Sequence, residues 1–438
     1  MNRFIVWSSG TDSCHPKRPG MRMLLPMLSF EEAQALLNAE PVQSRVESVP
    51  MSASLAEVLG RILAEPVATE ADQPSFDRAT MDGYAVHLNG DTTTFQVVDT
   101  VLAGQDFQGS IKPGQAIRIM TGAPTPKGLT VVPVERTDNG DRTVQIEAAA
   151  LVPEKNIAWQ GQDAQRGDHV LGEGCRLGPT TLSAAAMAGA ESLPCFVPPR
   201  VGVVTTGDEI GASGPASVRN SNGPLLGALC SALAVPVGRR HALDKEDPLR
   251  RMLQESQADS EIIVTVGGVS MGTRDLVPGM AQELGFKPLF HHVAMKPGKP
   301  LFMARHEDGT FLLGLPGNPV SVLVTAHLFL APLIGRFMGN WKPRTFAMPM
   351  VRDYEYRGKR RLFLPARLED GGVGTIDWNG SGDFYAAAFA DGLIDLAPSS
   401  SWKAGEPVRF LPFLGHTPGE TGLRPGHNAP NAPNGDCC

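Results

Sequence analysis

The 438-residue sequence has no uninterrupted apolar run of the roughly 18 residues that a membrane-crossing helix needs. Its best candidate, Val322 to Gly335, is broken by His327 and Pro332 and reads as a buried core helix. The N-terminus lacks the apolar stretch of a secretory signal. Cysteine is sparse: Cys14, Cys175, Cys195, Cys230, Cys437 and Cys438 are scattered and form no C-x-x-C pair. That usage fits a reducing compartment rather than a disulfide framework. The terminal Cys437-Cys438 has no polybasic segment before it and reads as a chance tail rather than a prenylation signal. Two phosphate-binding signatures are also missing. There is no G-x-x-x-x-G-K-[ST], and no G-x-G-x-x-G follows the strand at Val201. No Ser–His–acid order stands out. Nor is there an excess of positive charge, because 39 Lys+Arg against 46 Asp+Glu leave a net charge of −7. This argues against nucleic acid and against an anionic membrane as partners. Any bound anion must be held by a local nest of donors. These absences together describe a soluble cytoplasmic protein.

Glycine and proline are plentiful, 48 and 37 residues, which points to turns and short strands rather than long helical bundles. At about 150 residues per domain the length accommodates about three units. Residues 1–20 carry no periodicity and read as a disordered leader, with Met21 or Met23 a candidate start. Ser29-Phe-Glu-Glu32 is a capping box that opens a helix over 31–39, and Ser54-Leu-Ala-Glu57 predicts another running to about Ala64. From Pro66 to about Gly167, β-rich runs (95–101, 116–120, 130–134, 143–146) alternate with Gly, Pro and Asp-Asn-Gly turns, an all-β pattern. A helical patch follows at 180–190. From Arg200 to Gly339, apolar strands at 201–205, 261–266 and 311–315 alternate with helices, which predicts a parallel, doubly wound sheet. Its ligand crevice lies at the carboxyl ends of the strands, where Thr206-Gly-Asp-Glu209, Gly267-Gly-Val-Ser-Met-Gly272 and Pro316-Gly-Asn-Pro319 fall. Residues 335–344 read as a linker, 345–414 as strand and turn, and 415–438 as a disordered tail.

Three groups of residues suit anion and metal chemistry. Asn318-Pro-Val-Ser321 supplies a helix cap, a proline at the first helical position and free N–H groups, which bind anions. Taken alone, a plain cap is the simpler reading. Lys296-Pro-Gly-Lys-Pro300 fixes two ammonium groups on a stiff turn, suited to a tetrahedral oxyanion or phosphate. Asp82, Asp163, Glu209, Asp244 and Asp275 each sit in or beside Gly- or Pro-rich loops. Carboxylates at strand ends are natural Mg²⁺ ligands when a phosphate completes the shell. Each alone reads as a turn residue; only convergence on one crevice reverses that. His291-His292 are adjacent on a strand, so they should face opposite sides and make no joint metal site.

Six motifs, occurring in one order, resemble the MoeA family of molybdopterin molybdenumtransferases, which includes the C-terminal domain of gephyrin. They are Phe76-Asp-Arg-Ala-Thr-Met-Asp-Gly-Tyr-Ala-Val86, Arg118-Ile-Met-Thr-Gly-Ala-Pro124, Thr205-Thr-Gly-Asp-Glu209, Gly267 to Gly272, Lys296 to Pro300 and Gly314-Leu-Pro-Gly-Asn-Pro-Val-Ser321. The resemblance implies a multidomain α/β fold: a MogA-like doubly wound α/β domain (21–44 plus 199–343), a small connecting domain (45–67 plus 168–198), a β-rich inserted domain (68–167) and a C-terminal β-barrel (344–414). It also implies a homodimer, and insertion of molybdate into adenylylated molybdopterin with release of AMP and help from Mg²⁺. Its partners would be a molybdopterin adenylyltransferase and apo-molybdoenzymes.

By the same resemblance the catalytic residues are Asp82, Thr121, Glu209, Asp244, Asp275 and Lys296. Substrate is held by Ser270, Lys299, Pro300, Asn318, Ser321 and Ser381, and the metal by Asp244 and Asp275. Two positions depart from the family. His292 stands where a lysine is frequent, and Pro365 falls where an arginine is common, with Arg361 or Arg367 as substitutes. The alternatives are a MogA-type adenylyltransferase, which would consume ATP, and a dimeric scaffold with a decayed site.

Overall fold

A computed structural model describes residues 26–105, 107, 109–211, 213–215, 217–269 and 276–415. The proposed leader and tail, with Cys14, Cys437 and Cys438, lie outside the described residues. The chain divides into two compact units, one formed by residues up to Val42, Pro199–Arg336 and Lys342 onward, the other by Gln43–Pro198 with Phe337–Trp341.

The first unit is built on a six-stranded sheet ordered Val237–Ala242, Val201–Thr206, Ile262–Val266, Phe311–Leu315, Phe302–Arg305, Lys287–His291. The first four are parallel, as the apolar runs predict. The last two pairings are antiparallel because Phe302–Arg305 runs against both its neighbours, so the sheet is mixed rather than wholly parallel. The reason is local: Phe302–Arg305 and Phe311–Leu315 are joined by a turn too short to return the chain to the opposite end of the sheet. Val204, Ile263 and Leu312 share one face with Leu249, Leu253, Val277 and Met280 from the helices Glu246–Asp259 and Val277–Glu283. Val203, Val264 and Leu313, on the opposite face by strand alternation, are equally buried. Burial on both faces explains the continuous apolar text.

The apolar stretch after Pro316 forms a 19-residue, mostly buried helix, Pro319–Phe337, which includes the Val322–Gly335 run read from sequence as a core helix. Ala326–Leu330 is a π-helical turn within it. Pro332 lacks the N–H that would bond back into the helix. The carbonyl of Leu328, four residues earlier, accepts instead from Gln34 Nε2 at 2.5 Å. Gln34 lies on the helix Phe30–Ala39, where the predicted capping box is formed: Glu32 N–H donates to Ser29 Oγ at 3.1 Å, and Ser29 N–H to Glu32 Oε2 at 2.8 Å.

A second sheet in the same unit is ordered Met295–Lys296, Arg361–Glu369, Gly392–Leu396, Pro407–Pro412, Phe346–Pro349, with Gly372–Thr375 pairing onto Arg361–Glu369. Leu362, Leu364, Ile394 and Phe410 form its core.

The other unit holds a five-stranded sheet ordered Thr130–Pro133, Gly83–Val86, Gln115–Ile119, Thr94–Val101, Thr143–Gln145. Its strand Gly83–Val86, between Thr130–Pro133 and Gln115–Ile119, is buried throughout and closes the Phe76–Val86 motif, where Asp82 reads from sequence as a loop residue. A separate cluster (Val58, Leu63, Leu177, Ala185, Leu193) joins the hairpin-like pair Val46–Pro50 and Ser192–Phe196 to the helix Pro179–Met187. Here the helix predicted from Ser54 to Ala64 is cut short. It spans only Leu55–Val58, because Ile62 and Leu63 take β-bridges to Arg176 and Cys195. Tertiary strand pairing overrides helical propensity.

His327, in the π-helical turn, is buried; its Nδ1 donates to the Leu323 carbonyl (2.8 Å) and its Nε2 accepts from the Leu414 N–H (3.1 Å). Burial pushes its pKa down to about 4, against which the Leu323 carbonyl acts only weakly. The folded state therefore disfavours the imidazolium. The stability this contributes is complete above pH 6.5 and falls away between 6.5 and about 4, by roughly 3 kcal/mol at 1.36 kcal/mol per pH unit. Chemical denaturation followed across that pH window should show the loss, and His327→Gln should flatten it.

Candidate functional site

The parallel strands deliver three loops to one edge. Thr206-Gly-Asp-Glu209 leaves the strand Val201–Thr206, Gly267-Gly268 leaves Ile262–Val266, and Pro316-Gly-Asn-Pro319 leaves Phe311–Leu315. They enclose a pocket of about 220 Å³ whose walls include Glu209, Asp244, Asn222, Gly268, Gly317 and Pro319. Glu209 and Asp244, two of the carboxylates singled out from sequence, thus converge. Asp208 Oδ1 accepts from the Asp244 N–H at 3.1 Å and fixes that corner. Gly207 has φ +139°, and a Cβ there would stand 2.5 Å from Glu209 Oε1, so the carboxylate lies folded over the glycine.

Asp82 and Asp163 belong to the other compact unit. Ser270 and Asp275 lie outside the described residues. The sequence reading missed Asn220 and Asn222. Asn220 Oδ1 accepts from the Gly223 N–H at 2.9 Å, and Asn222 Nδ2 donates to the Gly317 carbonyl at 2.8 Å. The signal available was Arg219-Asn-Ser-Asn222, a pair of asparagines at a helix start.

The cationic turn is built against the helix Pro319–Phe337. Lys296 and Lys299 are exposed, while Pro297 and Gly298 between them are buried and Pro300 is half-buried. Gly298 has φ +102°, and a Cβ there would come within 2.6 Å of Thr325 Cγ2, so only glycine allows this approach. Thr325 Oγ1 in turn donates to the Ser321 carbonyl at 2.7 Å, one helical turn nearer the N-terminus. Ser321 is 4 % exposed. Among the described residues, neither ammonium has a carboxylate within ion-pair distance.

Asn318 occupies the cap position of that helix but makes no side-chain cap bond to it. Its Nδ2 donates instead to Ser381 Oγ (2.8 Å), and the Val320 N–H donates to the Ser381 carbonyl (3.1 Å). Asp383 holds the Ser381 loop, accepting from the Asn379 N–H at 3.0 Å and the Ala386 N–H at 3.1 Å. Asn318 and Ser381, two of the residues singled out from sequence, are therefore in direct contact.

In the other unit, Asp82 Oδ1 accepts from both the Thr121 N–H (2.7 Å) and the Thr121 hydroxyl (2.8 Å). The backbone donor, then the hydroxyl, lowers the Asp82 pKa from its ordinary 3.8 and keeps it ionised.

His291 and His292 do not face opposite sides. Their rings stack at 4.0 Å because His292, at φ +73°, leaves the strand conformation. His291 Nε2 donates to the Val269 carbonyl at 2.9 Å. Among the described residues no cluster of three or more His, Cys, Asp or Glu is arranged to hold a metal unaided. Replacing Gly207 by alanine would strain the backbone and displace Glu209. The expected cost is about 1 kcal/mol, read as a lowered denaturation midpoint.

Three stretches match family models: the MoeA N-terminal region (domain I and II) over residues 28–189, a probable molybdopterin binding domain over 202–336, and the MoeA C-terminal region (domain IV) over 348–413. A molybdopterin molybdenumtransferase of Haemophilus influenzae is 33 % identical over 410 residues, spanning 88 % of this chain and 99 % of the relative. Another, from Staphylococcus epidermidis, is 30 % identical over 390 residues, 84 % of this chain and 93 % of its own length. The crystal structure of a molybdopterin biosynthesis MoeA protein from Pyrococcus horikoshii superposes with a TM-score of 0.72 at 25 % identity, over 89 % of this chain and all of the other. With its loops, its cationic turn and the length of these matches in agreement, this chain belongs to the MoeA family of molybdopterin molybdenumtransferases.

Proposed function

We propose that the protein inserts molybdate into adenylylated molybdopterin, giving molybdenum cofactor and AMP. The observation that carries this reading is that two sites share one loop. Gly317 and Pro319 wall the pocket that holds Glu209 and Asp244, while Asn318 and Val320 bind Ser381 and lead into Ser321 beside the lysine turn. A site for a phosphoanhydride next to a site for an oxyanion is what the reaction needs.

Both reactants are anions, so their repulsion must be offset by fixed donors rather than by a protein of net charge −7. Lys296 and Lys299, with Ser321, Ser381 and the helix N-terminus, hold the oxyanion; Pro300 and Asn318 shape its cradle. The pocket presents carboxylate and carbonyl oxygens, the donor set of a hard cation. Glu209 and Asp244 are the described residues that would hold Mg²⁺, with substrate phosphate completing the shell; the resemblance adds Asp275, and Ser270 as a substrate contact. When bound, Mg²⁺ would neutralise charge developing on the AMP leaving group.

The rest of the proposal is architectural. The protein acts in the cytoplasm as a homodimer of four-domain subunits, in which Asp82 and Thr121 serve the crevice of a second copy. The boundaries are 21–44 plus 199–343, 45–67 plus 168–198, 68–167 and 344–414. The last of these is a closed barrel, a reading supported by the bridge Met350–Val373, which links the Phe346–Pro349 end of the second sheet to Gly372–Thr375. A molybdopterin adenylyltransferase supplies the substrate and apo-molybdoenzymes receive the product.

The test is AMP release from adenylylated molybdopterin and Mg²⁺, measured with and without molybdate. Molybdate-dependent release without ATP consumption is the expected result. ATP-dependent adenylylation would mark an adenylyltransferase, and molybdate binding without release a scaffold. Lys296→Ala should leave the fold intact and lower turnover by roughly a hundredfold or more. Asp244→Asn should lower it and raise the Mg²⁺ concentration needed.

A further inference from the structure

The strand Val237–Ala242 is an outer edge of the six-stranded sheet and pairs there with Val201–Thr206 alone. Between it and the start of the helix Asn222–Ala232 lies a cavity of about 430 Å³. Val203, Thr205, Asn220, Gly223, Arg239 and His241 are among its walls. Asn220 also walls the carboxylate pocket, so the two cavities are neighbours. Their linings differ. The carboxylate pocket presents Glu209 and Asp244, whereas no carboxylate lines the cavity at the sheet edge.

The basic residues of the edge strand divide by what they contact. The Arg240 Nη2 donates to Asp259 at 2.5 Å, and Glu255 stands 3.8 Å from its Nε. Arg239 and His241, on either side of it, share the opposite face of the strand and are exposed. Among the described residues neither has an ion-pair partner. The arm of Arg239 lies along the helix at Gly227, where a Cβ would stand 3.4 Å from its Cδ and 3.7 Å from its Nη1. Glycine is a poor helix former, and here it gives the arm a flat surface to lie on. His241 is oriented by a buried hydroxyl. Thr205, 1 % exposed, has its Oγ1 3.1 Å from His241 Nδ1 and accepts from Asn220 Nδ2, also at 3.1 Å. That contact occupies Nδ1 and leaves Nε2 for a ligand. Charged side chains on an edge strand also discourage pairing with other chains. That role needs neither a cavity nor an oriented ring.

We propose that this cavity is a phosphate-binding site, separate from the oxyanion cradle, in which Arg239 and His241 grip a phosphate that is free or part of an ester. The planar guanidinium offers two parallel N–H donors to two phosphate oxygens, and the imidazole adds a third through Nε2. Thr205 and Asn220 are already bonded to each other, so they hold the imidazole rather than the anion. At about 430 Å³ against about 220 Å³ for the carboxylate pocket, the cavity has room for the organic part of an ester. With a net charge of −7 the protein offers anions no general attraction, so the grip is local. The inference does not depend on the molybdate-insertion reading.

The experiment is equilibrium dialysis of the full chain against radiolabelled inorganic phosphate, without Mg²⁺ and at about 0.15 M salt, where exposed charges are screened. The host carries Lys296→Ala and Lys299→Ala, so that the oxyanion cradle does not contribute. That host should still bind a single phosphate per chain. Arg239→Gln added to it should weaken binding by about ten- to a hundredfold, and His241→Phe by about tenfold. Arg239→Lys, which retains the charge but loses the fork, should recover part of the affinity. Arg250→Gln, a cation already held by Glu283 at 2.5 Å, should change nothing. Unlabelled AMP forms the second arm. Displacement at lower concentration than unlabelled phosphate identifies an ester as the ligand, and displacement only at equal or higher concentration identifies free phosphate. No bound phosphate in the host overturns the assignment, as does unchanged affinity in Arg239→Gln or an equal loss in Arg250→Gln. Arg239 and His241 are exposed, so their variants keep the fold, which an unchanged circular dichroism spectrum checks.

Discussion

The amide of Asn318 does not cap its own helix. It reaches across to Ser381, and the backbone N–H of Val320 does the same. A helix that gives up its side-chain cap loses about 1 kcal/mol of local stability. The two bonds to Ser381 offset that loss and fix the second sheet's loop against the first sheet's most important turn. The relation of the Ser381 loop to the carboxylate pocket depends on this pair of bonds, since Gly317 and Pro319 on either side of Asn318 form the pocket wall. Asn222 secures the same turn from within, through the Gly317 carbonyl. The loop is thus held from two directions by residues more than 150 positions apart in sequence.

A second constraint is electrostatic. Elsewhere the protein neutralises its arginines carefully, with Arg61 on Glu47, Arg240 on Asp259, Arg352 on Glu369 and Arg361 on Asp395. Against that background the two lysines of the turn stand out, since they face solvent without a carboxylate among the described residues while the backbone between them is buried on a helix. Strained backbone persists where the surrounding structure over-determines it. Gly298, closed onto Thr325, supplies that over-determination here.

Much of this was legible beforehand. The three Gly-containing loops fall at strand ends because apolar β-branched runs precede them, and the capping box at Ser29 reads directly from residue spacing. What escaped has identifiable causes. The strand Gly83–Val86 hides inside a motif whose Asp-Gly pair looks like a turn. The reversed strand Phe302–Arg305 is ordinary β text, and only pairing reveals its direction. The helix beginning at Ser54 has good local signals that lose to bridges formed by Ile62 and Leu63. His291 and His292 stack because one residue adopts a left-handed backbone that no spacing rule foretells. The commitment of Arg361 to Asp395 and Glu31 is likewise invisible in sequence, because both partners lie far from it in the chain. Among the site residues, the cationic turn and the carboxylates were readable by type, whereas Asn222 acquires meaning only from its bond to Gly317.

The bond from Gln34 to the carbonyl of Leu328 joins positions 294 residues apart. It repairs the gap left by Pro332, and the neighbouring Phe30 packs its ring on Phe329. During synthesis at about 5 to 20 residues per second, the N-terminal helix therefore waits some 15 to 60 seconds for the segment it completes. Throughout that interval Phe30 and Leu37, buried in the finished protein, have no native partner from the central helix. Among the described residues, the first helix to leave the ribosome is one of the last to find its place, and the nascent chain is most exposed to aggregation while it lacks that partner.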